Sequence, residues 1–385
     1  MARYYDVNAP ETQKLWAKSL WQDYYQSDPA TNPVYGLSGK SHKSNAYVYI
    51  DEAKKGIGDR IRLTWLQKMG ENAGALGNEI IEGNEGEIYT ATDDVILDLW
   101  RIGGRFDDTD IVDQRVSFDA LKELRANMSG LIKERRCASR ANHMTGNTRQ
   151  TDLRYTDNNT PYTPDDQHAY RCDATASVLG TPSDETITSV DFLDIGHIDD
   201  LKEIARSLPL PIAPFRVGDA EYYGLELHPA QLRRLRQSDT DWYSTMTNAL
   251  QGGQATGHPF FTNALGKWGN VVLFENNFLP RGMNSSTSVA IDTVRRGVFF
   301  GAGACVTAVG RMNPKGDHLK WTANAWDAGD KHRVYAKLVS GTIAPRFDWN
   351  DGTSVKRSYG KIVVSSYAPV VSGLTALDYA QPNLS

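Results

Sequence analysis

Gly58-Asp-Arg-Ile-Arg-Leu-Thr-Trp-Leu66 and its return, Ile88-Tyr-Thr-Ala-Thr-Asp-Asp-Val-Ile-Leu-Asp-Leu-Trp-Arg-Ile-Gly-Gly-Arg-Phe106, decide how this chain folds. The first run alternates apolar and polar residues, the period-2 mark of a half-buried strand. Between the runs lie Gly70-Glu-Asn-Ala-Gly-Ala-Leu-Gly77 and Glu82-Gly-Asn-Glu-Gly86, too polar and Gly-rich to pack. Together they predict a long hairpin over 58–106 with a flexible, acidic tip. A lone two-stranded hairpin is marginal in water, and its edges present unpaired N–H and C=O groups. Such a ribbon is accounted for if it lies on a neighbouring subunit, which points to assembly rather than catalysis.

On either side of the hairpin the pattern changes. Residues 1–57 are rich in Tyr, Ser, Asn and Lys and read as an arm, with one short amphipathic piece, Leu15-Trp-Ala-Lys-Ser-Leu-Trp21. After the polar turn Asp107–Asp113, Ser117 is positioned as an N-cap. Apolar residues then recur as Phe118, Leu121, Leu124, Met128, Leu131 and Ile132, one face of a long helix. Lys133, Arg135 and Arg136 suit its C-terminal end. The stretch from Asn142 to about Asp184 is Pro-, Asn-, Thr- and Asp-rich and carries no core of its own; it is expected to run along neighbouring subunits. A second compact region opens near Ile187. Its helical face is Ile198, Leu201, Ile204, Ala205 and Leu208, and a strand, Tyr222–His228, precedes a helix beginning at Pro229. Thr293–Val309 is ambiguous between a small-faced helix and a buried strand. Arg333–Val339 and Gly360–Tyr367 are closing strands. Arm, hairpin, long helix, mixed region and closing strands in that order make an α+β fold.

Composition narrows the function. Lys+Arg number 42 against Asp+Glu 47, a formal net charge of -5. That is not the basic footprint of a nucleic-acid grip. Cys137, Cys172 and Cys305 are widely spaced and have neither zinc-site nor disulfide spacing, so free thiols are expected. The apolar run Val298–Val309 falls short of the roughly 20 residues a membrane span needs, and Met1–Asn8 carries no apolar signal segment.

The chemical motifs are weak. Gly36-Leu-Ser-Gly-Lys-Ser41 ends like a phosphate loop but has Val34 where its first Gly belongs. Gly301-Ala-Gly-Ala-Cys-Val306 imitates a dinucleotide loop and ends on Val306. His168 and Cys172 lack the second pair that a tetrahedral site requires. His228 beside Pro229 reads as a cap on the following helix. No catalytic, cofactor or metal residue is assigned. A soluble enzyme with an acidic metal site at Asp107, Asp108, Asp110 and Asp113 stands as the rival from another class.

Several stretches taken together resemble a tailed-bacteriophage major capsid protein family. They are Gly58-Asp59-Arg-Ile61-Arg-Leu63, Glu82-Gly83-Asn84-Glu85, Gln114–Asp119, Leu227-His-Pro-Ala-Gln-Leu232, Ala264–Val272 and Gly360-Lys-Ile-Val-Val364 running on to Tyr367-Ala368. The resemblance implies the capsid fold shared by tailed phages and herpesviruses. It implies an N-terminal arm at 1–57, an extended loop at 58–106, a peripheral domain with a spine helix at 107–186, an axial domain at 187–325, and closing strands at 326–385 that return to the peripheral domain. It further implies self-assembly into pentamers and hexamers of an icosahedral shell around double-stranded DNA, touched weakly. Scaffolding, portal or decoration proteins would be partners, and assembly would take place in the host bacterial cytoplasm with no membrane involved. Within that expectation the assembly residues are Arg60, Arg62 and Trp65 on the hairpin, Glu71, Glu82, Asn84 and Glu85 at its tip, and Phe118, Leu121, Leu124 and Met128 on the helix. An encapsulin-like nanocompartment shell is the rival that shares this fold.

Overall fold

A single long helix joins two large sheets. The computed structural model describes residues 38–39, 45–53, 59–66, 74–75, 80–82, 85, 90–107, 120–174, 178–217, 220–238, 266–310, 319–326, 331–348 and 355–371. In chain order the principal elements are β1 (Tyr47–Ala53), β2 (Arg60–Leu66), β3 (Thr90–Ile96), β4 (Asp98–Asp107), α1 (Ala120–Thr145) and β5 (Ala169–Arg171). They continue with α2 (Ile195–Ser207), β6 (Ala220–Leu227), α3 (Pro229–Ser238), β7 (Val271–Glu275), β8 (Ala290–Phe300), β9 (Cys305–Gly310), β10 (Leu319–Trp326), β11 (Lys331–Ile343) and β12 (Lys361–Tyr367).

The six-stranded sheet runs Ser38–Gly39, β1, β9, β11, β10, with β4 also on β11. The nine-stranded sheet contains β7, β6, β8, β12 and β5 in that order, edged by short strands. The sheets meet where the Tyr47 hydroxyl of β1 donates to Glu226 of β6, whose other carboxylate oxygen accepts from Asn276 Nδ2 at 2.8 Å.

The predicted periodic face of α1 holds. Met128 and Ile132 are buried against Trp100, Ile102, Val334 and Leu338 of the six-stranded sheet, and Leu124 and Leu131 pack at the margin. Leu124 lies over Gly104, where a Cβ would come within 2.5 Å of its Cδ1. The helix continues past the basic trio that was expected to end it. Ala138, Ala141 and Met144 prolong the apolar face, and Ala141 and Met144 pack beneath Val298 and Phe300 of the nine-stranded sheet. One helix thus spans both cores. It stops at Gly146, whose φ of +65° suits glycine and whose missing Cβ leaves room for the Tyr162 carbonyl.

Helices α2 and α3 cover the opposite face of the nine-stranded sheet through Ile198, Leu201, Ala205, Leu232 and Leu235. With both faces covered, β8 ends in a continuous apolar run, Val298-Phe-Phe300, rather than an alternating one. The ambiguous Thr293–Val309 resolves into two strands, β8 and β9, which belong to different sheets.

One expectation is corrected. The polar stretch 142–184, expected as a surface loop along neighbours, is in part buried within its own subunit. Asn142, His143, Asn147, Thr156, Asp157, Asn159, His168 and Tyr170 are all buried. Burial is tolerated because polar groups there are hydrogen-bonded: His143 Nε2 to Thr156 O at 2.9 Å, Asn147 Nδ2 to Asn142 Oδ1 at 2.8 Å, and the Tyr162 hydroxyl to Ala344 O at 2.7 Å. β12 pairs with β8 and β5 in the nine-stranded sheet and reaches the end of α1 through Lys361, while β9 and β10, at 305–326, join the six-stranded sheet. Long-range pairing decides such placements, and nothing local in a strand records its partner.

Candidate assembly site: the ribbon and its base

Strands β2 and β3 form an antiparallel ribbon, in register from Arg60↔Ile96 to Leu66↔Thr90; it is shorter than the hairpin expected over 58–106, because 98–107 leaves it as β4 to pair with β11. Leu97 N–H closes its root on Asp59 O at 2.7 Å. The alternation sorts the side chains as expected for a pleated strand. Arg60, Arg62 and Thr64 are exposed, while Ile61, Leu63 and Trp65 turn inward. From β3, Val95 is fully buried and Ala91 nearly so.

What the inward face meets is the subunit's own body. Val95, Ile61 and Leu63 pack with Val48, Val306 and Ile343. Trp65 stacks on Phe347 with ring centroids 6.0 Å apart and lies 4.5 Å from Tyr359. Arg346 N–H donates to Asp93 Oδ2 at 3.1 Å, and burial raises the Asp93 carboxyl above the usual carboxylate range. The whole ribbon was expected to rest on another copy; its base instead docks at home, because one apolar face of β2 and β3 finds matching apolar surface there. An open cavity of about 340 Å³ remains under the base, lined by Tyr49, Ile50, Ile61, Leu63 and Phe347 among others. The described tip residues behave differently: Ile80, Ile81, Glu82 and Glu85 are exposed, Ile80 at 72%.

Across the ribbon, Arg62 Nε holds Asp94 Oδ1 at 3.0 Å, and this guanidinium keeps the Asp94 carboxyl below its ordinary value. The outer edge of β2 has no strand partner among the described residues. Of the residues assigned from sequence, the structure brings Arg60, Arg62 and Trp65 together on β2. Leu124 and Met128 lie apart from them, on α1 against the six-stranded sheet. Glu71, Asn84 and Phe118 lie outside the described residues. Leu121 falls in α1, but its side chain is outside them as well. Phe347, Tyr359, Asp93 and Asn159 were missed. Asp93 lies in β3 of the ribbon itself, and Phe347, Tyr359 and Asn159 are brought to it by tertiary contacts that no local pattern records.

The chemical decoys take structural roles. His228 Nδ1 accepts from Ala230 N–H at 3.1 Å at the start of α3, and burial beside Arg295 pushes its pKa down to about 3. Cys137, Cys172 and Cys305 are buried and form no disulfide. Among the described residues no three His, Cys, Asp or Glu side chains gather as metal ligands; Asp108, Asp110 and Asp113 lie outside them.

Comparison with known proteins agrees with this architecture. The family model described as phage capsid protein matches residues 5–370. The capsid of Ralstonia phage GP4 is similar at a TM-score of 0.69 and 20% identity, over 88% of this chain and 92% of that one. The capsid of cyanophage Pam1 follows at 0.65 and 13%, covering 90% and 94%. The head structure of Helicobacter pylori bacteriophage KHP40 gives 0.58 and 15%, covering 87% and 90%. No curated protein matches. The match to phage capsids over nearly the whole length does not favour the encapsulin alternative. The chain belongs to the phage capsid protein family and is a structural subunit of an icosahedral virion shell.

Proposed function

We propose that this subunit closes its shell as pentamers and hexamers, with the far part of the ribbon of one copy lying on the next. The observation that carries the reading is the division of the ribbon. Its base is docked through Trp65, Leu63 and Val95, while Ile80 and Ile81 stand 72% and 60% exposed beside Glu82 and Glu85. Exposed apolar pairs rimmed by charge are what an interface uses, and the outer edge of β2 can accept an added strand. Heterologous contacts of this kind close into rings. Each contact can be weak, because many per subunit act together.

The six-stranded sheet with α1 fits a peripheral domain, and the nine-stranded sheet with α2 and α3 fits an axial one. The formal charge of -5 suits a wall that touches packaged double-stranded DNA only weakly. Scaffolding, portal and decoration proteins are the partners such a shell needs, and the host bacterial cytoplasm is where it would be built.

Deleting residues 70–86 tests this function. The expected product is a folded, soluble chain that forms no closed particles by electron microscopy. Particles indistinguishable from the full-length protein's would overturn the reading.

A further inference from the structure

We propose that Asn159 is the positioning residue that aims the ribbon, and so sets the geometry with which one subunit meets the next. This rests on the reading that the ribbon carries an intersubunit contact.

β4 pairs with β11 from Asp107↔Lys331 to Asp98↔Ser340. One or two steps further the same register would set Leu97 and Ile96 against Gly341 and Thr342. The ladder stops there. β11 continues with β9, through Thr342↔Thr307, while the other chain turns away as β3 to pair with β2. Ile96 is therefore the last residue of the ribbon and Asp98 the first of the sheet. At this split, a carboxamide replaces the lost strand. Ile96 N–H donates to Asn159 Oδ1 at 2.9 Å, and Asn159 Nδ2 donates to Ile96 O at 2.9 Å. A side-chain amide offers one acceptor and a donor in the spacing of a peptide unit, which no apolar side chain can supply.

The clamp is itself held on both sides. Asn159 is 6% exposed. Two residues before it, Asp157 takes a φ of 57° and its carboxylate lies 3.6 Å from Arg136 of α1. Three residues after it, the Tyr162 hydroxyl is fixed on Ala344 O at 2.7 Å. From the opposite direction Gly341 lets Ile96 approach: a Cβ there would lie 2.1 Å from Ile96 O and 3.1 Å from Asn159 Nδ2. At the split, where the ladder ends, the angle between ribbon and sheet is thus set by this side chain, and beyond it by the docked apolar face of the base. Seven residues of strand span roughly 24 Å at ~3.4 Å each. A change of about 10° at Ile96 would swing the far end of that strand by about 4 Å on the same spacing. Close-packed interfaces do not absorb such a shift.

Asn159→Ala and Gly341→Ala, made separately in the full chain, test the assignment. Hydrogen exchange of the unassembled subunit is compared over 90–97 and over 120–145, and particle diameters are measured by cryo-electron microscopy. The expected result is at least ten-fold faster exchange over 90–97, an unchanged helix, and particles that lose their uniform diameter. Gly341→Ala, which pushes Ile96 from the other side, is expected to do the same. Should Asn159→Ala not fold, Asn159→Asp keeps the acceptor for Ile96 N–H and removes the donor, and a smaller change in the same direction is expected. Wild-type exchange over 90–97 in the folded variants overturns the clamp. Faster exchange with wild-type diameters overturns its role in closure. Normal particles from the chain lacking 70–86 would instead strike at the intersubunit contact, and the exchange result would still judge the clamp.

Discussion

Lys361 Nζ donates to the carbonyl oxygen of His143 at 2.8 Å, inside the protein and at the last turn of α1. The same ammonium reaches Met144 O at 2.9 Å and lies 4.9 Å from the centre of the Tyr162 ring. Arg296, on the neighbouring strand β8, adds bonds to Thr145 O and Gly146 O at 3.4 Å and pairs with Asp184 at 2.6 Å. Two buried basic side chains, from β8 and β12, therefore satisfy the open carbonyls of the helix end. This junction ties the long helix to the nine-stranded sheet.

Replacing Lys361 by Met leaves two buried carbonyls without these donors. At ~1–3 kcal/mol for each unsatisfied group, a loss of about 3 kcal/mol is expected in urea unfolding. The pH dependence has a definite sign. Burial lowers the Lys361 ammonium to about 7 from 10.5. Between those values the unfolded chain binds more protons than the folded one, so this group's contribution to stability rises with pH through that window. Melting at pH 7 and pH 9 should show a gain in the wild type that Lys361→Met lacks. Equal slopes for the two proteins would refute the assignment.

Arg136→Met removes the guanidinium beside the Asp157 carboxylate and leaves it the hydrogen bonds from Ser139 and Thr342. Burial raises Asp157 from 3.8 to about 6 even with Arg136 at 3.6 Å. Between 3.8 and 6 the folded state holds more protons than the unfolded one, so this group's contribution falls as pH rises through that range. Without the guanidinium the carboxyl must rise further. The variant should lose ~3–5 kcal/mol at pH 8, the cost of a stranded buried charge, and visibly less at pH 5, where Asp157 is neutral. The same loss at both pH values would count against this pairing.

On the helix face, burial predicts a graded response. Met128→Asp places a carboxylate at a site 3% exposed and should prevent folding at 37 °C. Leu124→Asp, at the margin above Gly104, should cost about 2–3 kcal/mol, within the range for burying polar groups. Thermal melts of both variants check the order, and the reverse ranking would show that the face is wrongly oriented.

Trp65→Ala removes two aromatic contacts at the ribbon base. At ~0.5–1.5 kcal/mol each beyond area burial, the base should loosen while the two sheets stay intact. Limited proteolysis should then cut within 60–96 faster, with little change in the global melting temperature. Cleavage at the wild-type rate would mean that Phe347 and Tyr359 do not hold the ribbon.

The elements that were legible share one property: their signal is local. Alternation in Arg60–Leu66 marked a strand whatever it would pair with, and Leu124, Met128 and Ile132 marked a helix face by spacing alone. Pro229 and His228 marked a helix start through the chemistry of two adjacent residues. The helix's true end was harder to see. Ala138, Ala141 and Met144 carry the apolar face onward through small residues, while Arg135 and Arg136 imitate a terminus. The polar stretch 142–184 misled for a related reason. Its Asn, Asp and Thr residues look solvated one at a time, and only their mutual hydrogen bonds make burial tolerable.

The amino-acid order alone determined that this chain has a ribbon, a long amphipathic helix and Gly-marked breaks, because strand alternation, helical spacing and glycine conformation act within a few residues. Only the folded structure decided that the ribbon's base rests on Phe347 and Tyr359, that β12 lies between β8 and β5 in the nine-stranded sheet, and that Asn159 stands in for a missing strand at Ile96. Those are contacts between residues tens to hundreds of positions apart. Their free energy depends on which surfaces meet, and no short stretch of sequence carries that information.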